Sequence, residues 1–186
     1  VTKDRKIINK LVNESERYVL MYMLPITVIV VIFSRDILTL LFGEAFTPAA
    51  DVLKLLMVVS IIDLMTRPYS TQMISTAFVH LNLVAGVICS TIHIIFNLIF
   101  IPENFLGYQL FGLGALGAAI ATVISSSLRY ILYRIFAYNT TGNSFKIRII
   151  KYYLSAFYMY LLLYTLTMFV GINNSIFDFF VATAGL

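Results

Sequence analysis

The chain has 186 residues, 60% of them hydrophobic and only 12% charged, with a formal net charge of +4 and a mean hydropathy of +0.92. Ordinary soluble domains carry about a quarter charged residues, and a soluble chain of this length has too little interior to hide so much apolar surface. The balance excludes a soluble globular domain and points to a polytopic membrane protein, whose helices satisfy their own backbone polar groups.

The chain opens at Val1 on a polar stretch bearing Lys3, Arg5, Lys6 and Lys10, without a cleavable signal pattern. A first span is expected over about 18–33, with Pro25 inside it as a kink. The apolar piece 37–42, closed by Gly43, is too short to cross and is expected at the interface. The second span covers about 49–78. At ~1.5 Å per residue it would reach ~45 Å against a hydrocarbon core of about 30 Å, so it must tilt, break or protrude. Spans over 81–101, 110–137 and 152–170 follow, and a partial run over 176–186 reads as a truncated sixth. The expectation is an all-α transmembrane helix bundle, one domain over 1–186 with five complete spans, forming a piece of a larger protein. The lone Cys89 lies in mid-span, so no internal disulfide can form.

Lys and Arg are distributed unevenly. Lys3, Arg5, Lys6, Lys10 and Arg17 precede the first span, and Arg134, near the end of the fourth, joins Lys146, Arg148 and Lys151 at the connection to the fifth. Segments 102–108 and 171–177 have none. Because cytoplasmic loops hold the excess of Lys and Arg, the N-terminus of this segment is expected in the cytoplasm of a multi-pass plasma-membrane protein. The basic clusters read as orientation signals and not as a nucleic-acid patch.

Within the spans, polar residues recur at helical spacing. Ser60, Asp63, Arg67, Ser70 and Thr71 form one stripe on the second span, with Asp63 and Arg67 an i,i+4 pair. A charge near the bilayer centre costs at least ~2.5–3.5 kcal/mol, so this stripe is expected to line a watery cavity or the bundle interior. Pro68, directly after Arg67, is expected to bend the helix there. The alternative is a pair that neutralises itself and only holds the helix against a neighbour.

The third span carries Asn82, Gly86, Ser90, His93 and Asn97 on one face. His93 can join a proton relay or simply hydrogen-bond to a neighbouring helix, and Asn97 is expected to tie helices together. The fourth span has small residues at Gly114, Gly117, Ala118 and Ala121, the spacing that lets membrane helices approach closely. Gly112, Gly114 and Gly117 resemble a nucleotide fingerprint only by chance, since no strand precedes them. The fifth span has little polar patterning and is expected to face lipid. No Ser-His-Asp or Cys-His set and no metal-ligand spacing can be assembled. The chain is therefore read as a non-enzyme, with no catalytic residues, metal or cofactor.

Three stretches together resemble a known family. They are Leu24-Pro25-Ile26 followed by residues 37–46 (ILTLLFGEAF), then 97–102 (NLIFIP), then 112–122 (GLGALGAAIAT). Their order and spacing are similar to the C-terminal half of polysaccharide-biosynthesis membrane proteins. These are lipid-linked oligosaccharide flippases of the multidrug/oligosaccharidyl-lipid/polysaccharide exporter, or MATE-like, superfamily. The resemblance covers about 17–137 and implies a two-lobed helical transporter with this chain as most of the second lobe. It further implies transfer of a polyprenyl-linked oligosaccharide across the membrane by alternating access, with membrane lipids and a first lobe as partners. The motif residues shape turns and packing in the family, so no substrate contact is carried over from it. Two other functions stay open: a cation- or proton-coupled drug antiporter of the same superfamily, and a non-transporting scaffold of a membrane glycosyltransferase complex.

Overall fold

The computed structural model describes residues 2–75, 78–105, 108–142 and 148–170, with side chains over 6–75, 78–104, 109–142 and 151–165. Six helices dominate: α1 (Thr2–Ile32), α2 (Ser34–Phe42), α3 (Ala50–Ser75), α4 (Val79–Phe100), α5 (Gly114–Thr141) and α6 (Arg148–Val170). A 3₁₀ turn over Glu44–Ala49 leads into α3, and a two-residue antiparallel hairpin, β1 (Asn104–Phe105) with β2 (Tyr108–Gln109), joins α4 to α5. The protein is thus an all-α, polytopic membrane-spanning bundle with one small ribbon. Among the described residues, Lys6–Ile32, Glu44–Ser75, Val79–Phe100 and Gly114–Thr141 are long and apolar enough to cross a membrane. The expected fifth span falls within α6, and 176–186 lies outside the described residues.

The first helix starts well before the expected 18. Its apolar stripe extends backwards at four-residue spacing through Leu24, Leu20 and Val12, so the basic N-terminal stretch keeps a face that can pack. Val12 is buried against Tyr69, Met73, Ala85, Tyr133 and Ala137. Pro25 and Pro68 sit inside α1 and α3, and both helices run through them unbroken.

Side-chain pairings set the helix directions. Tyr69 meets Glu16, and Val12 lies in the cluster with Met73, so α1 and α3 are antiparallel. Asp63 meets Arg129 and Gln72 meets Thr141, so α3 and α5 run parallel and share the largest interface. The third span, α4, runs antiparallel to both: Asn82 lies near Ser70 and Tyr133, and Phe100 near Gly117. One end of the bundle is tied by Asn9, whose Nδ2 donates to the Thr141 carbonyl at 2.9 Å, and by Gln72, whose Nε2 donates to Thr141 Oγ1 at 2.6 Å. This is the end that carries the basic segments.

The opposite end is turned by Gly43, whose φ of +87° is a left-handed value that disfavours any residue with a Cβ. There α2 packs on the 3₁₀ turn and α3, burying Ser34 and Leu38 while Leu40, Leu41, Phe42 and Phe46 stay exposed. A short helix with one buried edge and one open apolar edge suits the interface position expected for 37–42. Two long helices present broad apolar faces outward. Leu83, Val87 and Ile94 of α4 and Phe157, Tyr158 and Leu162 of α6 are more than half exposed. Such continuous apolar surface is unfavourable in water and suits lipid. The α6 helix packs on α1, where Tyr152 and Ala156 lie against Leu20, Leu24, Ile61 and Met65.

Candidate functional site

The parallel packing of α3 and α5 places two polar stripes side by side. Asp63, Thr66, Arg67 and Ser70 from α3 and Arg129 and Tyr133 from α5 line a cleft of about 250 Å³. Arg129 donates to Asp63 Oδ1 at 2.5 Å, with both side chains partly exposed. It also reaches Ser126 Oγ at 3.4 Å. The partner of Asp63 is therefore Arg129 and not the i,i+4 neighbour Arg67. The reason is geometric: Arg129 approaches from a facing helix, whereas Arg67 extends outward from the same one. Arg67 is exposed, and among the described residues it has no hydrogen bond or ion pair. With two guanidinium groups and one carboxylate, the cleft carries an excess of positive charge. Arg67 is accordingly not alone as a mid-span cation, since Arg129 lies within the same cleft.

The other residues singled out from sequence are dispersed. Ser70 donates to Asn82 Oδ1 at 2.9 Å, and Tyr133 donates to that same oxygen, so Asn82 anchors α4 at the edge of the cleft. Ser60 is exposed and returns its hydroxyl to the Leu56 carbonyl at 2.9 Å. Thr71 borders a separate groove beside α1. His93 Nε2 lies 3.2 Å from Thr122 Oγ1, across the α4–α5 interface and outside the cleft. Asn97 is half-buried, and its Oδ1 has no hydrogen-bond partner among the described residues.

The small residues of α5 meet α4 as close packing requires. A Cβ added at Gly117 would lie 2.5 Å from the Phe100 carbonyl oxygen, and Ala121 is fully buried. Ala118 is half-buried, and its carbonyl accepts from Thr122 at 2.7 Å. Gly114 opens the helix, with open space where a Cβ would stand.

A second polar centre was not foreseen. Glu16 of α1 is fully buried, and its Oε1 accepts from Tyr69 OH at 2.9 Å, Tyr130 OH at 2.8 Å and Arg134 Nη1 at 3.2 Å. Arg134 also donates to Tyr130 OH and lies over the Tyr69 and Tyr130 rings at 5.7 and 5.6 Å. The other carboxylate oxygen of Glu16 has no hydrogen-bond partner among the described residues. The signal was present as Val12, Glu16 and Leu20, which place the acid on the buried stripe of α1. Lys10, Glu14 and Arg17 around it give the stretch the composition of a polar approach to the membrane. Tyr69 follows Asp63 by six residues, so the Glu16 centre sits roughly 9 Å along the axis from the Asp63–Arg129 pair at ~1.5 Å rise per residue. It holds three helices together at the basic end.

No protein-family model, curated protein or solved structure matches this chain. The functional reading therefore rests on the cleft and on the sequence resemblance.

Proposed function

We propose that this chain is the second lobe of a transporter that flips lipid-linked oligosaccharide across the plasma membrane by alternating access. The supporting observation is Arg67, an exposed guanidinium without a partner among the described residues, beside the Asp63–Arg129 pair in a transmembrane cleft. A helix face of this kind is unfavourable against lipid. It suits a hydrated cavity shared with a facing lobe. Guanidinium groups bind phosphate oxygens through paired, charge-assisted hydrogen bonds, which matches the phosphate that links a sugar to a lipid carrier. In this reading Asp63 holds Arg129 in place and moderates the field, so that an anion is held weakly enough to leave on the other side.

Arg67→Ala is expected to reduce binding of a polyprenyl-diphosphate sugar by about ten- to a hundredfold, the value of a lost charge-assisted contact. It should do so at unchanged membrane levels. Arg67→Lys should recover only part, because the fork of donors is lost. Binding and transport by Arg67→Ala at the wild-type level would refute the anion role. A drug antiporter predicts instead that transport of organic cations survives or rises when Arg67 is removed, and the same reconstituted vesicles measure this.

The orientation is tested separately. With Cys89→Ser as background, Asn104→Cys at the α4–α5 hairpin should react with an impermeant thiol reagent from the outer face. Labelling from the cytoplasmic face alone would reverse the orientation drawn from the Lys and Arg distribution.

A further inference from the structure

The first helix, α1, has 31 residues. At ~1.5 Å per residue it is ~46 Å long against a hydrocarbon core of about 30 Å, so roughly ten residues at its basic end project among the lipid headgroups. Lys6 and Lys10 are exposed on this projecting part. Arg17 is exposed two turns further in, and its long side chain can reach the headgroups from there. Its guanidinium lies 5.7 Å over the Tyr18 ring. At ~100° per residue these three cations fall within about 40° of one another around the helix. They stand roughly opposite Ile8, Val12, Ser15 and Val19, which line the groove against α3. The basic line is therefore turned away from both the groove and the cleft. Beside it runs an apolar strip, Ile7, Leu11, Tyr18 and Tyr22, each more than half exposed. At the same end α6 contributes Lys151, also exposed, next to Tyr152, which packs with Leu20 and Leu24 of α1.

We propose that this outer face of α1 holds an anionic phospholipid of the surrounding leaflet, with its headgroup on Lys6, Lys10 and Arg17 and its acyl chains on the apolar strip. Charge is the first reason. Of the two carboxylates between residues 6 and 22, Glu16 is enclosed in the core and paired with Arg134. Glu14 is half-exposed and 3.9 Å from Lys10, too distant and solvated a pair to cancel the excess. The exposed face thus keeps three cations against one carboxylate, and its complement is an anion. The second reason is the apolar strip. A soluble acidic ligand would leave Ile7, Leu11 and Tyr22 uncovered, whereas a lipid covers them with hydrocarbon and sets its phosphate beside the cations. Depth is the third, since the ring of Tyr18 suits the boundary between hydrocarbon and headgroups. The Lys and Arg excess at this end is then a docking surface for negatively charged lipid as well as an orientation signal. The contact requires only that the bundle spans a membrane, and it is the same for any transported substrate.

The test places the full-length protein in nanodiscs of phosphatidylcholine mixed with phosphatidylglycerol and identifies the lipids that stay bound by native mass spectrometry. One basic residue near an anionic surface is worth about fivefold in affinity, so three of them offset by Glu14 should favour phosphatidylglycerol about thirtyfold. Replacing Lys6→Gln, Lys10→Gln and Arg17→Gln together should abolish the preference. Arg17→Lys alone should keep most of it, because a headgroup at the surface needs the charge more than the fork of donors. All three side chains are exposed, so the core of the triple variant is untouched. On the unmutated protein, raising the salt concentration should weaken the preference by screening. Wild-type preference in the triple variant, or no preference in the unmutated protein at low salt, would overturn the proposal. Displacement of the lipid by soluble glycerol 3-phosphate would overturn it too, since it would mark a site for a free anion. A phosphatidylglycerol with a photoreactive headgroup reads the same contact without any substitution. Cross-links on α1 within residues 6–22 are expected. Cross-links confined to α2 or to the α4–α5 hairpin, or capture of a polypeptide in intact membranes by a photoreactive residue in place of Leu11, would overturn the assignment.

Discussion

Gly117→Ala is expected to destabilise the bundle measurably, and Gly117→Leu to prevent its assembly. A Cβ at this position would stand 2.5 Å from the Phe100 carbonyl oxygen, 2.8 Å from its carbon and 3.0 Å from its Cβ. The obstacle is mostly backbone, so a rotamer change cannot relieve it and α4 must move away from α5. Overpacking of this kind costs about 1–3 kcal/mol for added methylenes and more where backbone must shift. In lipid the loss is compounded, because close packing and interhelical hydrogen bonds replace the hydrophobic drive between helices. Gly86 provides the control. It lies on α4, and a Cβ there meets nothing within 4 Å, so Gly86→Leu should express and migrate as wild type. Thermal melting followed by size-exclusion chromatography in detergent separates the outcomes. Equal melting of Gly117→Leu and Gly86→Leu would mean that the α4–α5 contact is not close in the membrane.

Glu16→Ala should be the most damaging substitution outside the small-residue interface. Arg134 is only 17% exposed at its side chain and Glu16 is completely enclosed. Removing one partner of a buried ion pair typically costs about 3–5 kcal/mol, because the remaining charge is left uncompensated. Here the Tyr69 and Tyr130 hydroxyls would lose their acceptor as well. Glu16→Gln keeps an acceptor oxygen and should lose less. Glu16→Leu combined with Arg134→Leu should recover a good part of the stability, since it removes both buried charges together. Resistance to unfolding in a denaturing detergent measures all three. If Glu16→Ala were as resistant as wild type, the network would contribute little to holding α1, α3 and α5 together.

The Asp63 charge likewise belongs to a pair, with Arg129 as its partner. Taken as an i,i+4 pair, Asp63 and Arg67 would be neutralised together. In the folded protein that double change leaves Arg129 without its carboxylate, because the ion pair bridges α3 and α5. The informative double replacement is Asp63 with Arg129, and Arg67 is altered separately.

What the sequence by itself determined is the class of solvent the protein occupies and the order of its principal helices. Mean hydropathy of +0.92 and 12% charged residues leave a bilayer as the environment, and runs of spanning length punctuated by Gly43 and Pro102 mark where the chain turns. These are local properties, since apolar length and turn chemistry act over neighbouring residues. The polar stripe on α3 was legible for the same reason, as helical periodicity puts Asp63, Arg67 and Ser70 on one face whatever surrounds them. Partnership was not legible. Whether Asp63 bonds to Arg67 or to Arg129, 66 residues away, depends on α3 and α5 running parallel in contact, which no local pattern encodes. Glu16 shows the limit most plainly. Beside the basic N-terminal stretch it reads as part of a solvated segment, and only the convergence of Tyr69, Tyr130 and Arg134 from two other helices makes burying its charge tolerable.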